Sequence, residues 1–228
     1  MKAIIWDMDG TITDTETYWI QNIFRLLEHY GVPDARGKDA PWFGTATSET
    51  IRNYLASPDC RLELTYEQCR TWCRNYIYTH TYAAGAPLKP GALETLQAAK
   101  ALGLPMCLVS ATEQQALRYT MDRLNMGQYF DFYESTCFRP LDKHHTALFE
   151  RCAARMGVEA RDCLLVEDSL YSIETGKRAG MTAWAIADGK HVKEKHRIVQ
   201  AADRYFENHF ELKQALLEEA SLDRTAVL

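Results

Sequence analysis

Five short apolar runs set the terms for this chain: AIIW at 3–6, MCLVS at 106–110, FYEST at 132–136, CLLVE at 163–167 and TAWAIA at 182–187. Each has the length of a single strand. Between them lie stretches with helical period. Pro90-Gly91 precedes a segment with Leu93, Leu96 and Ala99 on one side, Leu148, Cys152 and Met156 recur at steps of four, and Leu212 and Leu216 do the same near the C-terminus. Strands that alternate with helices predict an α/β fold, a three-layer Rossmann-like core with a parallel sheet covered on both faces.

One segment breaks the alternation. From about residue 15 to 85 there is no strand-like run. Ile20, Ile23, Phe24 and Leu27 fit a helical stripe, and Thr65 with Gln68 fits a capping box ahead of Tyr66, Cys69, Cys73 and Tyr76. The expected organisation is therefore a core made of 1–14 and 86–228, interrupted by a helical cap at 15–85. There is no P-loop, GxGxxG or GxSxG.

Composition narrows the function classes. A net charge of -5 with no basic block argues against nucleic acid as a partner. No apolar run approaches the roughly 18 residues of a membrane helix, and the four-residue run before Asp7 is too short for a signal peptide. The seven cysteines are odd in number and scattered, several of them in apolar runs. They read as reduced thiols of a cytoplasmic protein.

In parallel sheets, ligands bind beyond the carboxyl ends of the strands. Asp7 and Asp9 follow the first run, Ser110 ends the second, and Glu167, Asp168 and Ser169 close the fourth. Lys143 lies between the last two. Four carboxylates gathered at one edge need a cation to stay ionised together. Hard oxygen donors suit Mg²⁺. Such a set fits phosphoryl transfer through a carboxylate nucleophile: Asp7 attacks phosphorus, Asp9 protonates the leaving oxygen and then activates water, and Gly10 lets the chain turn. Taken singly, DMDG also reads as a turn, Ser110 as a strand-end cap, Lys143 as a surface lysine and the Glu167 segment as a helix cap. A calcium loop counted from Asp7 fails, because Ile12 and Tyr18 occupy its glycine and glutamate positions. The order of the signals along successive strand ends separates the functional reading from these.

The sequence resembles the haloacid dehalogenase superfamily, and within it the branch of β-phosphoglucomutase and small sugar-phosphate phosphatases. The DxDGT/V motif is DMDGT at 7–11, the strand-end hydroxyl is Ser110 in LVSAT, the lysine is Lys143, and the acidic motif is EDSLYSIETGKRAGM at 167–181. The resemblance implies that Asp7 is nucleophile and metal ligand, and that Asp9 is acid/base with its backbone carbonyl on the metal. It implies that Glu167 and Asp168 serve the Mg²⁺ site and that Ser110, Ala111 and Lys143 hold the phosphate. In the cap it points to Trp42, Phe43 and Gly44 for substrate choice. The chain departs from the family pattern at several places. His144 follows the lysine where KPxP is usual, and Ser172 replaces a glycine. Trp19 and Thr47 stand where β-phosphoglucomutases carry a histidine and an arginine. Hydrolysis of a small phosphorylated metabolite by a monomer is thus expected ahead of a phosphohexomutase reaction. A phosphorelay receiver or a non-catalytic phosphate binder is the reading from another class.

Overall fold

Ala3, Ile4, Ile5 and Trp6 are all buried, so this strand has no solvent face. That is the signature of a central parallel strand under helices on both sides. In the computed structural model, which describes residues 1–34, 36–43, 47–83, 86–137 and 139–225, it forms β1 (Ala3–Trp6). A helical insertion follows: α1 (Glu16–His29), α2 (Thr47–Ala56) and α3 (Tyr66–Ile77). The chain then runs α4 (Ala92–Ala101), β2 (Met106–Ser110), α5 (Gln114–Arg123), β3 (Phe132–Ser135), α6 (Thr146–Arg155), β4 (Cys163–Glu167), α7 (Leu170–Arg178), β5 (Thr182–Ile186), α8 (Lys195–Ala201), β6 (Arg204–Phe206) and α9 (His209–Thr225). It divides into two compact units, Met1–Asp14 with Gly85–Leu228, and Thr15–Ala84.

The strands of the first unit form one sheet in the order β3-β2-β1-β4-β5-β6, with every pairing parallel. This is the doubly wound α/β arrangement that the alternation of runs predicts. Ala3, Ile5, Cys107 and Val109 bury one face of the sheet against Leu148, Phe149 and Cys152 of α6 and Ile173 of α7. The sequence reading did not foresee β6. It is three residues long at the sheet edge, too short to show a period, and it opens on Arg204, whose guanidinium lies over the Trp184 and Phe206 rings at 5.1 Å from each centroid.

The second unit has its own core. Ile23 and Leu27 of α1, Ile51 and Tyr54 of α2, and Cys69 and Cys73 of α3 pack together with Trp42. The expected capping box opens α3: the Gln68 amide donates to Thr65 Oγ1 at 3.3 Å, and the Thr65 amide donates to Gln68 Oε1 at 2.8 Å. Burial raises both thiols, Cys73 to about 12. The pair behaves as small apolar core residues and not as thiolate ligands. All seven cysteines are free.

Candidate active site

The chain builds β1, β2 and β3 in one direction and then returns to the other side of β1 for β4, β5 and β6. The order of strands therefore reverses beside β1, and the carboxyl ends of β1 and β4 flank this switch point, the place where open α/β sheets bind ligands. Trp6 pairs with Val166, and the Asp7 amide donates to the Val166 carbonyl at 3.0 Å. Backbone register alone thus delivers Asp7 and Glu167 side by side.

Lys143 lies just ahead of α6 and is buried, only 4% exposed. Its ammonium donates to Asp7 Oδ1 and, at 2.7 Å, to Glu167 Oε1. The other Glu167 oxygen accepts from the amides of Asp168 and Ser169, each at 2.9 Å, and from the Ser169 hydroxyl at 2.7 Å. Asp168 Oδ1 accepts from the Thr11 hydroxyl at 3.3 Å, and His191 Nε2 lies 3.3 Å from Asp168 Oδ2. Lys143 is therefore not a solvated surface lysine, and Glu167 is more than a helix cap.

Electrostatics in this cluster are unbalanced. Burial raises Asp7 well above the usual carboxylate range; Lys143 opposes the rise, and Glu167 and Asp168 add to it. Burial likewise raises Asp168, against the pull of His191. For Glu167 burial acts in the same direction, but Lys143 and the Ser169 donors outweigh it and bring the group to about 2. Burial disfavours the charged form of Lys143, yet Asp7 and Glu167 hold it well above the usual amine value. The Lys143 ammonium pairs with Asp7 and Glu167, and Asp168 has His191 and the Thr11 hydroxyl beside it. Ligand atoms of Asp7, Glu167 and Asp168 lie within 4.8 Å of one another. Hard oxygens at this spacing, with charge still to neutralise, fit a divalent cation such as Mg²⁺.

The Asp9 carboxylate is directed elsewhere. Its Oδ2 accepts from the Ser110 hydroxyl at 3.3 Å and from the Thr112 hydroxyl at 2.5 Å, and its Oδ1 lies 3.5 Å from Thr13 Oγ1. The Thr112 amide in turn donates to Ser110 Oγ at 3.0 Å. Ser110 is buried at the end of β2, whereas Ala111, the next residue, faces solvent. Thr11, Thr13 and Thr112 received no role from the sequence. The signal available was their position, each within four residues of a strand-end aspartate or serine. His191 and His209, which reach this region from the far end of the chain, gave no local signal.

In the helical unit, Trp42 is 3% exposed, with Phe24 at 5.7 Å and Tyr54 at 4.9 Å between ring centroids. That enclosure makes it a core residue of its unit. Phe43 is half-buried and stacks on Phe24 at 5.7 Å. Gly44 and the side chains of Trp19 and Thr47 lie outside the described residues. In the first unit, His144 stacks on Tyr171 at 4.4 Å, and His145 Nδ1 pairs with Asp142 at 2.7 Å.

A family model described as haloacid dehalogenase-like hydrolase matches residues 1–180. Hexitol phosphatase B of Escherichia coli (strain K12) is 26% identical over 198 residues, which is 78% of this chain and 80% of that protein. Phosphoglycolate phosphatase of Pseudomonas savastanoi pv. phaseolicola is 24% identical over 193 residues, covering 82% and 70%. Among solved structures, one described as a predicted phosphoglycolate phosphatase from Haemophilus somnus 129pt superposes with a TM-score of 0.77 at 21% identity, over 95% of this chain and 98% of that one. The last likeness shows the fold.

Proposed function

This chain belongs to the haloacid dehalogenase-like hydrolase family, and from that premise we propose that it is a Mg²⁺-dependent phosphatase that hydrolyses a small phosphorylated metabolite through an aspartyl-phosphate on Asp7. The phosphatases among its relatives support the reaction class. The observation that carries the residue assignment is the Lys143 ammonium held between Asp7 and Glu167, with Asp9 beside Ser110 and Thr112.

The carboxylates of Asp7 and Asp168, with Glu167 and the Asp9 backbone carbonyl, are the groups assigned to the metal. An ion held there would supply positive charge for the phosphoryl oxygens. Lys143 opposes the protonation that burial favours on Asp7 and orients its carboxylate. A carboxylate oxygen of Asp7 forms the new bond to phosphorus, the bond from phosphorus to the ester oxygen breaks, and Asp9 gives its proton to that oxygen. In the second half, Asp9 takes a proton from water as the water oxygen attacks phosphorus, and the bond from phosphorus to the Asp7 oxygen breaks with its electron pair left on the Asp7 carboxylate. Inorganic phosphate leaves, and Asp7 and Asp9 return to their starting states. Ser110 and Thr112 hold Asp9 in place between the halves; with Lys143, Ser110 and the Ala111 backbone would receive the phosphate.

The helical unit at 15–85 is assigned the role of a cap that selects the substrate, with Phe43 and Gly44 as its contacts. Polyol and sugar-acid phosphates are the class to test first, since relatives are called hexitol phosphatase and 6-phosphogluconate phosphatase. Seven reduced thiols fit a cytoplasmic location, and no helix among the described residues is long and apolar enough to cross a membrane. The decisive experiment is phosphate release from a panel of phosphorylated metabolites with and without Mg²⁺. Turnover that needs Mg²⁺ and is lost on Asp7→Asn is the expected result. No release from any ester would overturn the reading, and transfer to a second sugar phosphate without net release would replace it with a mutase.

A further inference from the structure

Around the turn after Asp9, three carbonyl groups accept from backbone amides. Met8 O accepts from the amides of Ile12 and Thr13 and from the Thr13 hydroxyl. Thr13 O accepts from the Gly10 amide at 2.9 Å, and Ile12 O from the Lys89 amide at 2.9 Å. The Thr11 carbonyl finds a side chain instead. His209 Nε2, from 198 residues further along, stands 2.7 Å away.

His209 opens α9 and is fully buried. Thr95 of α4 donates its hydroxyl to the His209 carbonyl at 3.1 Å, and Gly91 leaves room for the residue, since a Cβ there would stand 3.2 Å from His209 Cβ. The second ring nitrogen, Nδ1, has no partner among the described residues. This geometry selects one tautomer. A hydrogen on Nδ1 would be a buried donor without an acceptor, and it would leave the Nε2 lone pair facing a carbonyl oxygen. Burial also lowers the group to about 4, which keeps the ring neutral. What the ring holds matters for the site. The Thr11 hydroxyl donates to Asp168, and Gly10 lies against the same carboxylate.

We infer that His209 is a positioning residue of the active site: as a neutral Nε2–H imidazole it fixes the Thr11 carbonyl, and so holds the Gly10–Thr13 turn against Asp168. The inference rests on the metal-dependent reading above. Outer-shell groups of this kind alter metal affinity by about 10–100-fold.

The test is calorimetric titration of the full chain with MgCl₂, comparing wild type, His209→Gln and His209→Leu. Glutamine retains an N–H donor; leucine has none. The expected result is H209Q within about threefold of wild type and H209L at least about tenfold weaker, with far-UV circular dichroism unchanged. H209L binding like wild type overturns the inference, as does H209Q falling as far as H209L. A wild type that binds no divalent ion overturns the metal-dependent reading itself and this inference with it, and that outcome is distinct from the other two. If H209L does not fold, the wild-type imidazole ¹⁵N shifts near neutral pH decide. A proton on Nε2 alone is expected; a proton on Nδ1, or on both nitrogens, overturns the proposal.

Discussion

A Cβ placed on Gly10 would stand 2.3 Å from Asp168 Oδ2. The glycine also has a φ of +84°, a region that L side chains rarely adopt. Close approach and backbone conformation both exclude a side chain at this position. Gly10→Ala is expected to displace Asp168 or the turn, lowering kcat/KM by about tenfold or more and weakening Mg²⁺ binding. The left-handed backbone alone costs a non-glycine residue about 1–2 kcal/mol. Steady-state kinetics at several Mg²⁺ concentrations check this; wild-type kinetics in the variant would show that the turn tolerates a side chain.

Asp7 and Asp9 should separate in their failures. Asp7→Asn removes the nucleophile with little change in shape, so turnover is expected to vanish while the melting temperature is maintained. Asp9→Asn removes proton transfer, worth about 10²–10⁴ in rate. With an aryl phosphate, whose leaving group needs little protonation, the Asp9 variant should accumulate phosphoenzyme. Mass spectrometry after acid quench reads the added phosphoryl group directly. Absence of that adduct in the Asp9 variant at every time point would count against covalent catalysis.

Three buried carboxylates and one lysine give the metal prediction. Excess EDTA should abolish activity, and Mg²⁺ or Mn²⁺ should restore it. Ca²⁺ takes more ligands at longer distances, and it is expected to bind and inhibit by engaging both oxygens of Asp7. Full activity with Ca²⁺ alone would contradict this account.

His209 also predicts a pH dependence of stability. Its folded pKa of about 4 lies below the ordinary value near 6.5; burial is the largest cause, Lys89 pushes in the same direction, and the Thr11 carbonyl and Glu94 push the other way. Between those two values the unfolded chain binds the proton and the folded chain does not. Stability from this group is therefore complete above pH 6.5 and declines as pH falls toward 4, by at most about 3 kcal/mol. Glu167, at about 2, acts in the same direction at lower pH, its contribution being lost below the ordinary glutamate value of 4.5. Asp7 and Asp168, raised by burial, act in the opposite direction; in urea unfolding from pH 7 to 4 the His209 part is therefore the extra decline of wild type relative to H209Q. Equal slopes would remove His209 as its source.

Trp42 and Phe43 should differ. Removing a buried tryptophan costs about 3–5 kcal/mol, so Trp42→Ala is expected to lower the melting temperature and to reduce activity on all substrates alike. Phe43→Ala should leave stability nearly intact and lower kcat/KM for the best metabolite by about tenfold, with acetyl phosphate little changed. The reverse pattern would exchange their roles.

What the sequence by itself determined is local and ordered. Period and length marked the strands from β1 to β5 and the stripes of their helices, because parallel strands buried on both faces must be apolar throughout. The residues after those strands carried the acidic pairs, the serine and the lysine in chain order. Thr65 and Gln68 announced the start of α3, because a capping box is complete within four residues. Tertiary structure decided what depends on distant partners. Whether Lys143 was solvated or buried between Asp7 and Glu167 depended on the register of β1 against β4. Trp42 became a core residue only once Phe24 and Tyr54 closed around it. His209 reached the Thr11 carbonyl from the start of α9 because the fold brings α9 against α4. No periodicity records such a contact, since its two partners share neither a helix face nor a strand, only a hydrogen bond that exists after the chain has folded.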